Sequence, residues 1–122
     1  MIKYFYDSYA IIEFLQGNRK FLKYFKETLG ITTKLNLMEL YYAYIDDEEY
    51  ADEIYETYSS IAIEISDDQI KKAMRLRKDL KNKKLKISYV DAIGYLISYE
   101  MGIRFLTGDI EFKGLPNVEF VK

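Results

Sequence analysis

Residues 87–112 decide the fold, and they read ISYVDAIGYLISYEMGIRFLTGDIEF. A helix is predicted from Ser88 to Glu100, and Gly102 ends it because glycine readily adopts the left-handed conformation found at helix ends. A short apolar strand and a polar turn that ends at Asp109 follow. The segment therefore predicts a helix that leads directly into a buried strand.

Strands and helices alternate outward from this segment over the whole chain. The predicted strands are 3–6, 31–33, 61–65, 104–106 and 118–121. The predicted helices are 8–15, 19–29, 35–44, 46–58, 67–81 and 88–100. This order predicts an α/β fold, a three-layer α/β/α arrangement with a mostly parallel, five-stranded sheet, in one domain of residues 1–122.

Composition restricts the chemistry available to the chain. Its 122 residues are 49% hydrophobic and 31% charged, with a net charge of −2 and neither Cys nor His. Disulfides and thiolate metal sites are therefore excluded. We predict no signal peptide and no apolar run of the roughly 20 residues that span a bilayer, and hence a cytoplasmic protein without membrane contact.

Acidic residues follow or begin several of the predicted elements. Ligands of open α/β sheets bind beyond the carboxyl ends of the strands, where Asp7 and Asp109 are expected. Glu39 lies one turn into the helix after the second strand, whereas spacing alone leaves open whether Asp91 reaches the same edge. Carboxylates so close together raise one another's pKa, and Mg²⁺ or Mn²⁺ would relieve the conflict.

Each acid also has a purely structural explanation. Asp7 could cap the first helix, and Asp91 could belong to a capping arrangement with Ser88. Asp109 could favour its turn, and Glu39 could lie on the solvated face of an amphipathic helix. Only their joint occurrence favours a functional site.

Three segments resemble the PIN-domain family, and within it the VapC-type toxin ribonucleases. They are residues 4–15 (YFYDSYAIIEFL), 31–43 (ITTKLNLMELYYA) and 87–112. The resemblance implies an Mg²⁺- or Mn²⁺-dependent endoribonuclease that hydrolyses single-stranded RNA, the toxin of a type II toxin–antitoxin pair. By the same resemblance, the catalytic and metal-binding residues are Asp7, Glu39, Asp91 and Asp109.

The last of these segments departs from the family pattern. Many members carry a second Asp two residues after the fourth acid, where this chain has Glu111. Glu111 is predicted either to replace that accessory acid or to point into solvent. The hydroxyl groups of Ser8 and Thr107 are further accessory candidates beside the acids.

Half of the 18 basic residues fall within residues 71–86 and lead toward Asp91. Arg75, Lys78, Lys83 and Lys84 are the candidates for guiding RNA phosphates to the site. The alternative is an ordinary solvated helix face followed by a basic loop.

Aromatic residues are abundant in the N-terminal helices, which predicts an interface. The residues concerned are Tyr24, Phe25, Tyr41, Tyr42, Tyr44 and Tyr55. Such a surface fits a homodimer or a groove for a partner, and the family resemblance implies an antitoxin protein.

Two other functions compete with the ribonuclease. A PIN-like scaffold could bind RNA or protein without catalysis. A phosphoryl-accepting signalling domain would also gather acids around Mg²⁺, but it needs an acceptor Asp and a later Lys at strand ends, and the sequence does not supply that pair cleanly.

Overall fold

Five short strands pair side by side in the centre of the molecule, and every pairing between them is parallel. The computed structural model describes residues 1–27 and 29–122. The strands are β1 (Tyr4–Tyr6), β2 (Gly30–Thr33), β3 (Ala62–Ile63), β4 (Arg104–Thr107) and β5 (Val118–Phe120). Most of their residues are aromatic or β-branched, the types that suit a pleated surface.

The order of the strands across the sheet is β3-β2-β1-β4-β5. The chain moves from β1 outward to β3 and then returns to place β4 on the other side of β1. The direction of winding therefore reverses between β1 and β4, and ligands of open α/β sheets bind at such a reversal.

Six α-helices connect the strands in the described part of the chain. They are α1 (Ser8–Leu15), α2 (Arg19–Phe25), α3 (Lys34–Ala43), α4 (Glu48–Ser59), α5 (Asp67–Asn82) and α6 (Tyr89–Met101). Ser66 and Gln69 form the predicted capping box at the start of α5, and Gly102 ends α6 in the left-handed conformation. None of the helices that the structure describes has the length and apolar character needed to cross a bilayer.

Alternate strand residues face opposite sides of the sheet and build two separate cores. Phe5, Ile31 and Phe105 pack with residues of α5 and α6 on one side. Tyr6 and Leu106 pack with residues of α1 to α4 on the other side. The alternation follows from the two-residue period of a strand, and it confirms the predicted three-layer α/β/α arrangement.

The second helix is shorter than predicted. It ends at Phe25 instead of continuing to residue 29, and part of the predicted extension, Thr28, lies outside the described residues. The carbonyl oxygen of Leu29 accepts hydrogen bonds from the amides of Lys3 and Tyr4, at 2.8 and 3.1 Å. Leu29 thus lies at the start of the sheet and directly precedes β2, which begins at Gly30.

The third strand is also shorter than predicted. It includes only Ala62 and Ile63, which pair with Thr32 and Thr33. The reason is that β2 ends at Thr33, where α3 begins, so the outer strand has no partner beyond that point.

Most of the aromatic residues that were predicted to form an interface pack within the protein. Tyr24 is buried, and Phe25 stacks on Tyr6 with ring centroids 4.1 Å apart. Of the six predicted interface residues, only Tyr42 is exposed, with 79% of its surface accessible to solvent. Together with Met38 and Ile45 it forms an exposed apolar patch on and after α3.

Candidate active site

The carboxyl ends of β1 and β4 place two acids at the winding reversal. Asp7 directly follows β1 and is only 2% exposed. Asp109 follows β4 by two residues and is half-buried. Because the two strands are parallel neighbours, both acids lie at one edge of the sheet, as predicted.

Thr107 connects these two acids. Its hydroxyl group accepts a hydrogen bond from the amide of Asp109 at 3.0 Å, and its interaction with the carboxylate of Asp7 partly offsets the rise in the pKa of that acid. Asp7 also accepts from the amide of Ala10 at 2.7 Å and so caps α1. The accessory candidate Thr107 is therefore placed to orient Asp7 and Asp109.

A chain of polar side chains holds Glu39. The hydroxyl group of Ser8 donates to Oε1 of Glu39 at 2.6 Å. Asn36 donates to Ser8 through Nδ2 at 3.1 Å, and Thr33 donates to Oδ1 of Asn36 at 2.6 Å. The chain fixes both the accessory candidate Ser8 and the acid.

Sequence reasoning missed Asn36 and Thr33. Both are almost fully buried, with 1% of each exposed. The sequence did contain a sign of the role of Asn36. This residue lies one helical turn before Glu39, so the side chains of Asn36 and Glu39 fall on the same face of α3. A buried amide in an otherwise apolar helix is expected to have a specific partner.

Asp91 reaches the same edge of the sheet from α6. It lies in the first turn of that helix, and its amide donates to the hydroxyl group of the capping residue Ser88 at 3.1 Å. Burial and then the negative charges of Glu39 and Asp109 raise the pKa of Asp91 to about 6. The question that spacing left open is thus answered by the packing of α6.

The four acids form one electrostatic neighbourhood. Burial raises the pKa of Asp7 well above its ordinary value, and the charges of Asp91 and Asp109 raise it further. Glu39 belongs to the same group of acids, because its negative charge raises the pKa of Asp91. The structure therefore brings all four predicted residues together, while their catalytic role remains a prediction.

The donor set suits a hard divalent cation. It consists of carboxylate and hydroxyl oxygens, the ligands that Mg²⁺ and Mn²⁺ prefer. Burial first, and then the charges of neighbouring acids, raise the pKa of Asp7 and Asp91, so a bound cation would favour the charged forms of both groups. Among residues 1–27 and 29–122, no three acidic side chains lie close enough together to hold one ion directly. Water would therefore complete any coordination by these residues.

The position of Glu111 is fixed by a hydrogen bond of its backbone amide. Its amide donates to Oδ1 of Asp109 at 3.0 Å, so Asp109 caps the 3-10 helix Ile110–Phe112. The side chain is half-buried, and its role as an accessory acid remains a prediction.

The basic tract reaches the acidic edge only at its C-terminal end. The first half of α5 lies beside the end of α6, where Lys72 pairs with Glu100 at 3.4 Å. Toward the C-terminal end of the basic tract, a hollow of about 300 Å³ is lined by Arg77 and Lys81 of α5 and by Lys86 of the following loop. Ser88, three residues before Asp91, also lines this hollow.

Arg77 makes two specific contacts beside this hollow. Its Nε donates to the carbonyl oxygen of Ile87 at 2.8 Å, and its guanidinium group lies 4.3 Å from the ring centroid of Tyr89. The four predicted RNA contacts are all exposed: Arg75, Lys78, Lys83 and Lys84. Sequence reasoning had not selected Arg77 among its candidates.

We expect the metal-free protein to become more stable as the pH falls from about 7 toward about 4. The pKa of Asp91 is about 6 in the folded protein against 3.8 ordinarily, so the folded state binds a proton first. The contribution of Asp91 is on the order of 2 kcal/mol, and thermal melts in EDTA across this range measure it. The Asp91→Asn variant should show a weaker pH dependence, and equal slopes would contradict the prediction.

A model of the PIN domain family matches residues 4–118. The chain therefore belongs to the PIN domain family. No curated protein matches the chain.

The fold is similar to those of solved toxin–antitoxin structures. A toxin-antitoxin complex from Klebsiella pneumoniae has a TM-score of 0.74 and 19% identity, with 96% of each chain covered. A DNA-bound VapBC from Salmonella typhimurium has a TM-score of 0.75 and 17% identity, with 99% of this chain and 98% of that chain covered. VapBC2 from Rickettsia felis, bound to a promoter DNA fragment, has a TM-score of 0.69 and 19% identity, with 99% and 98% covered.

Proposed function

We infer that this chain is a metal-dependent endoribonuclease that hydrolyses phosphodiester bonds of single-stranded RNA. The observation that carries the proposal is the group of four acids at the reversal between β1 and β4, where burial and mutual repulsion raise the pKa of Asp7 and Asp91. Charging these carboxylates is costly in the protein alone, and a bound Mg²⁺ or Mn²⁺ would offset that cost.

The residues of the site have distinct tasks in this proposal. Asp7, Glu39, Asp91 and Asp109 hold the cation, directly or through water. The chemistry that a bound cation would supply is activation of a water nucleophile and stabilisation of the charge on the phosphate. Thr107 helps to position Asp109 through its hydrogen bond with the Asp109 amide and acts on the neighbouring carboxylate of Asp7.

Ser8 and Asn36 perform the same task for Glu39. The carboxylate of Glu39 accepts a hydrogen bond from the hydroxyl group of Ser8 at 2.6 Å. The side-chain amide of Asn36 donates a hydrogen bond to the same hydroxyl oxygen at 3.1 Å. A carboxylate held by a buried network loses little freedom when it binds a cation, which favours binding.

The basic hollow beside Asp91 supports RNA as the substrate. Arg77, Lys81 and Lys86 are gathered within reach of the acidic edge, where phosphates of a bound strand would need neutralisation. The resemblance of the three sequence segments to VapC-type toxins favours RNA over DNA.

An antitoxin is the proposed protein partner. The fold is shared with structures described as toxin–antitoxin and VapBC complexes. The exposed patch of Met38, Tyr42 and Ile45 supports a further apolar contact, which we assign to a homodimer in the cytoplasm.

The decisive experiment is incubation of the purified protein with labelled single-stranded RNA in Mg²⁺, Mn²⁺ or EDTA. We expect cleavage with either cation and none in EDTA. RNA binding without cleavage under any divalent cation would instead support the catalytically inactive scaffold. A small neighbouring gene whose product binds the protein and stops cleavage would support the toxin assignment.

A further inference from the structure

A second basic surface lies on the opposite side of the acidic edge from α5. It is a cleft of about 610 Å³ between α2 and the end of β5. Its basic lining residues are Arg19, Lys20, Lys23, Lys26 and Lys122. Leu22, Tyr24, Phe120 and Val121 complete its lining, so no acid faces the cleft among the residues that form it.

The basic residues of this cleft are not paired with acidic side chains among the described residues. The ion pairs in that part of the chain involve Lys72 and Arg104. The chain as a whole has a net charge of −2. A concentration of five cations against the overall charge indicates a site for an anionic ligand.

Lys122 joins the cleft to the acidic edge. Its Nζ lies 3.3 Å from the carbonyl oxygen of Gly108, the residue before Asp109, and 5.5 Å from the ring centroid of Tyr9, two residues after Asp7. The main-chain oxygen of Lys122 in turn accepts a hydrogen bond from Nζ of Lys20 at 2.7 Å. The cleft therefore opens directly beside the candidate active site.

We propose that the cleft between α2 and β5 binds the phosphate backbone of single-stranded RNA on one side of the acids, while the hollow of Arg77 binds it on the other. Residues 19–26 extend about 10 Å along the chain at 1.5 Å per helical residue. That length is comparable with three stacked nucleotides at about 3.4 Å each. The proposal rests on the proposed function, because it names the path of the substrate through that site.

Binding to a labelled oligouridine RNA in EDTA tests the cleft separately from cleavage. The test variant is Lys23→Gln/Lys26→Gln, and the matched control is Lys3→Gln/Lys71→Gln. All four lysines are exposed, and both variants lose the same charge. Lys3 precedes β1 at the far edge of the sheet, and Lys71 lies on the half of α5 that is remote from the acids.

The test variant should bind the RNA at least fivefold more weakly at about 100 mM salt, and the control should change by less than twofold. The slope of log affinity against log salt should also fall by about 1.4 in the test variant, since each lost single-strand phosphate contact contributes about 0.7. Unchanged thermal melts would show that both variants are folded.

Equal effects of the two variants, or undetectable RNA binding by the wild type, would overturn the cleft proposal. Cleavage assays on the same preparations with Mn²⁺ report on the proposed function independently. If the wild type cleaves RNA and the cleft variant binds it normally, only the cleft proposal fails. If nothing is cleaved under any divalent cation, the ribonuclease proposal fails.

Discussion

Replacing Asp7 with Asn is expected to lower metal-dependent RNA cleavage by about a thousandfold without unfolding the protein. Asp7 is 2% exposed, and the negative charges of Asp91 and Asp109 act on it. Loss of one charged ligand at a cation that stabilises a transition state costs several kcal/mol, and about 4 kcal/mol corresponds to a thousandfold in rate.

The folded state should tolerate this change well. Asn caps helices about as well as Asp, so the contact with the amide of Ala10 can be kept. The substitution also removes a buried charge near Asp91 and Asp109, so the melting temperature of the metal-free protein should stay the same or rise. Loss of cleavage can then be separated from loss of structure.

Cleavage rates and Mn²⁺ titration calorimetry on the same preparations provide the measurement. Asp46→Asn is the matched control, because Asp46 is exposed in the turn between α3 and α4 and the chemical change is identical. Full cleavage by the Asp7→Asn variant would show that the acidic group is not the active site.

Replacing Gly94 with Ala is expected to destabilise the protein by about 2 kcal/mol and to reduce cleavage strongly. A Cβ atom at this position would lie 2.6 Å from Cε1 of Phe5 and 3.1 Å from Cε1 of Phe105. Both rings are fully buried and stack on each other. Overpacking outweighs the gain of about 1 kcal/mol in helix propensity that Ala has over Gly.

The loss of activity has a geometric cause. Relief of the clash moves α6 away from the sheet, and Asp91 lies three residues before Gly94 on that helix. A misplacement of about 1 Å can cost about a hundredfold in rate. Thermal melts and cleavage rates measure the two effects on one variant.

A second substitution tests whether the clash itself is responsible. Phe5→Leu removes the ring atoms that the new methyl group would meet, so the double variant should be more stable than the sum of the single effects predicts, by about 1 kcal/mol. Phe5→Leu alone is the control. Additive effects would mean that Gly94 is not in contact with the sheet as described.

The fold was predictable because local and global patterns agree in this chain. The apolar runs of β1 and β4, the capping box at Ser66 and the glycine after α6 each fix an element through its own residues. The edge shared by Asp7 and Asp109 follows from parallel pairing alone. Membership of the PIN domain family agrees with the resemblance of the three segments.

Features that depend on distant contacts were not predictable. After α2, Leu29 is bound to Lys3 and Tyr4 at the start of the sheet, and no helical pattern in the sequence contains this contact. The place of Asp91 depends on the packing of α6. The position of the Glu39 carboxylate depends on the hydrogen bond between Ser8 and Asn36, which are 28 residues apart in the sequence. Such contacts become visible only when the chain is folded.

Three of the acids have one oxygen already engaged inside the protein. Oδ1 of Asp7 accepts from Ala10, Oδ1 of Asp109 accepts from Glu111, and Oε1 of Glu39 accepts from Ser8. Each of these carboxylates is therefore suited to offer a single oxygen outward instead of a chelating pair. Such a site leaves much of an ion's inner sphere to exchangeable molecules, and this is the arrangement in which Mg²⁺ keeps several waters and binds a phosphate group.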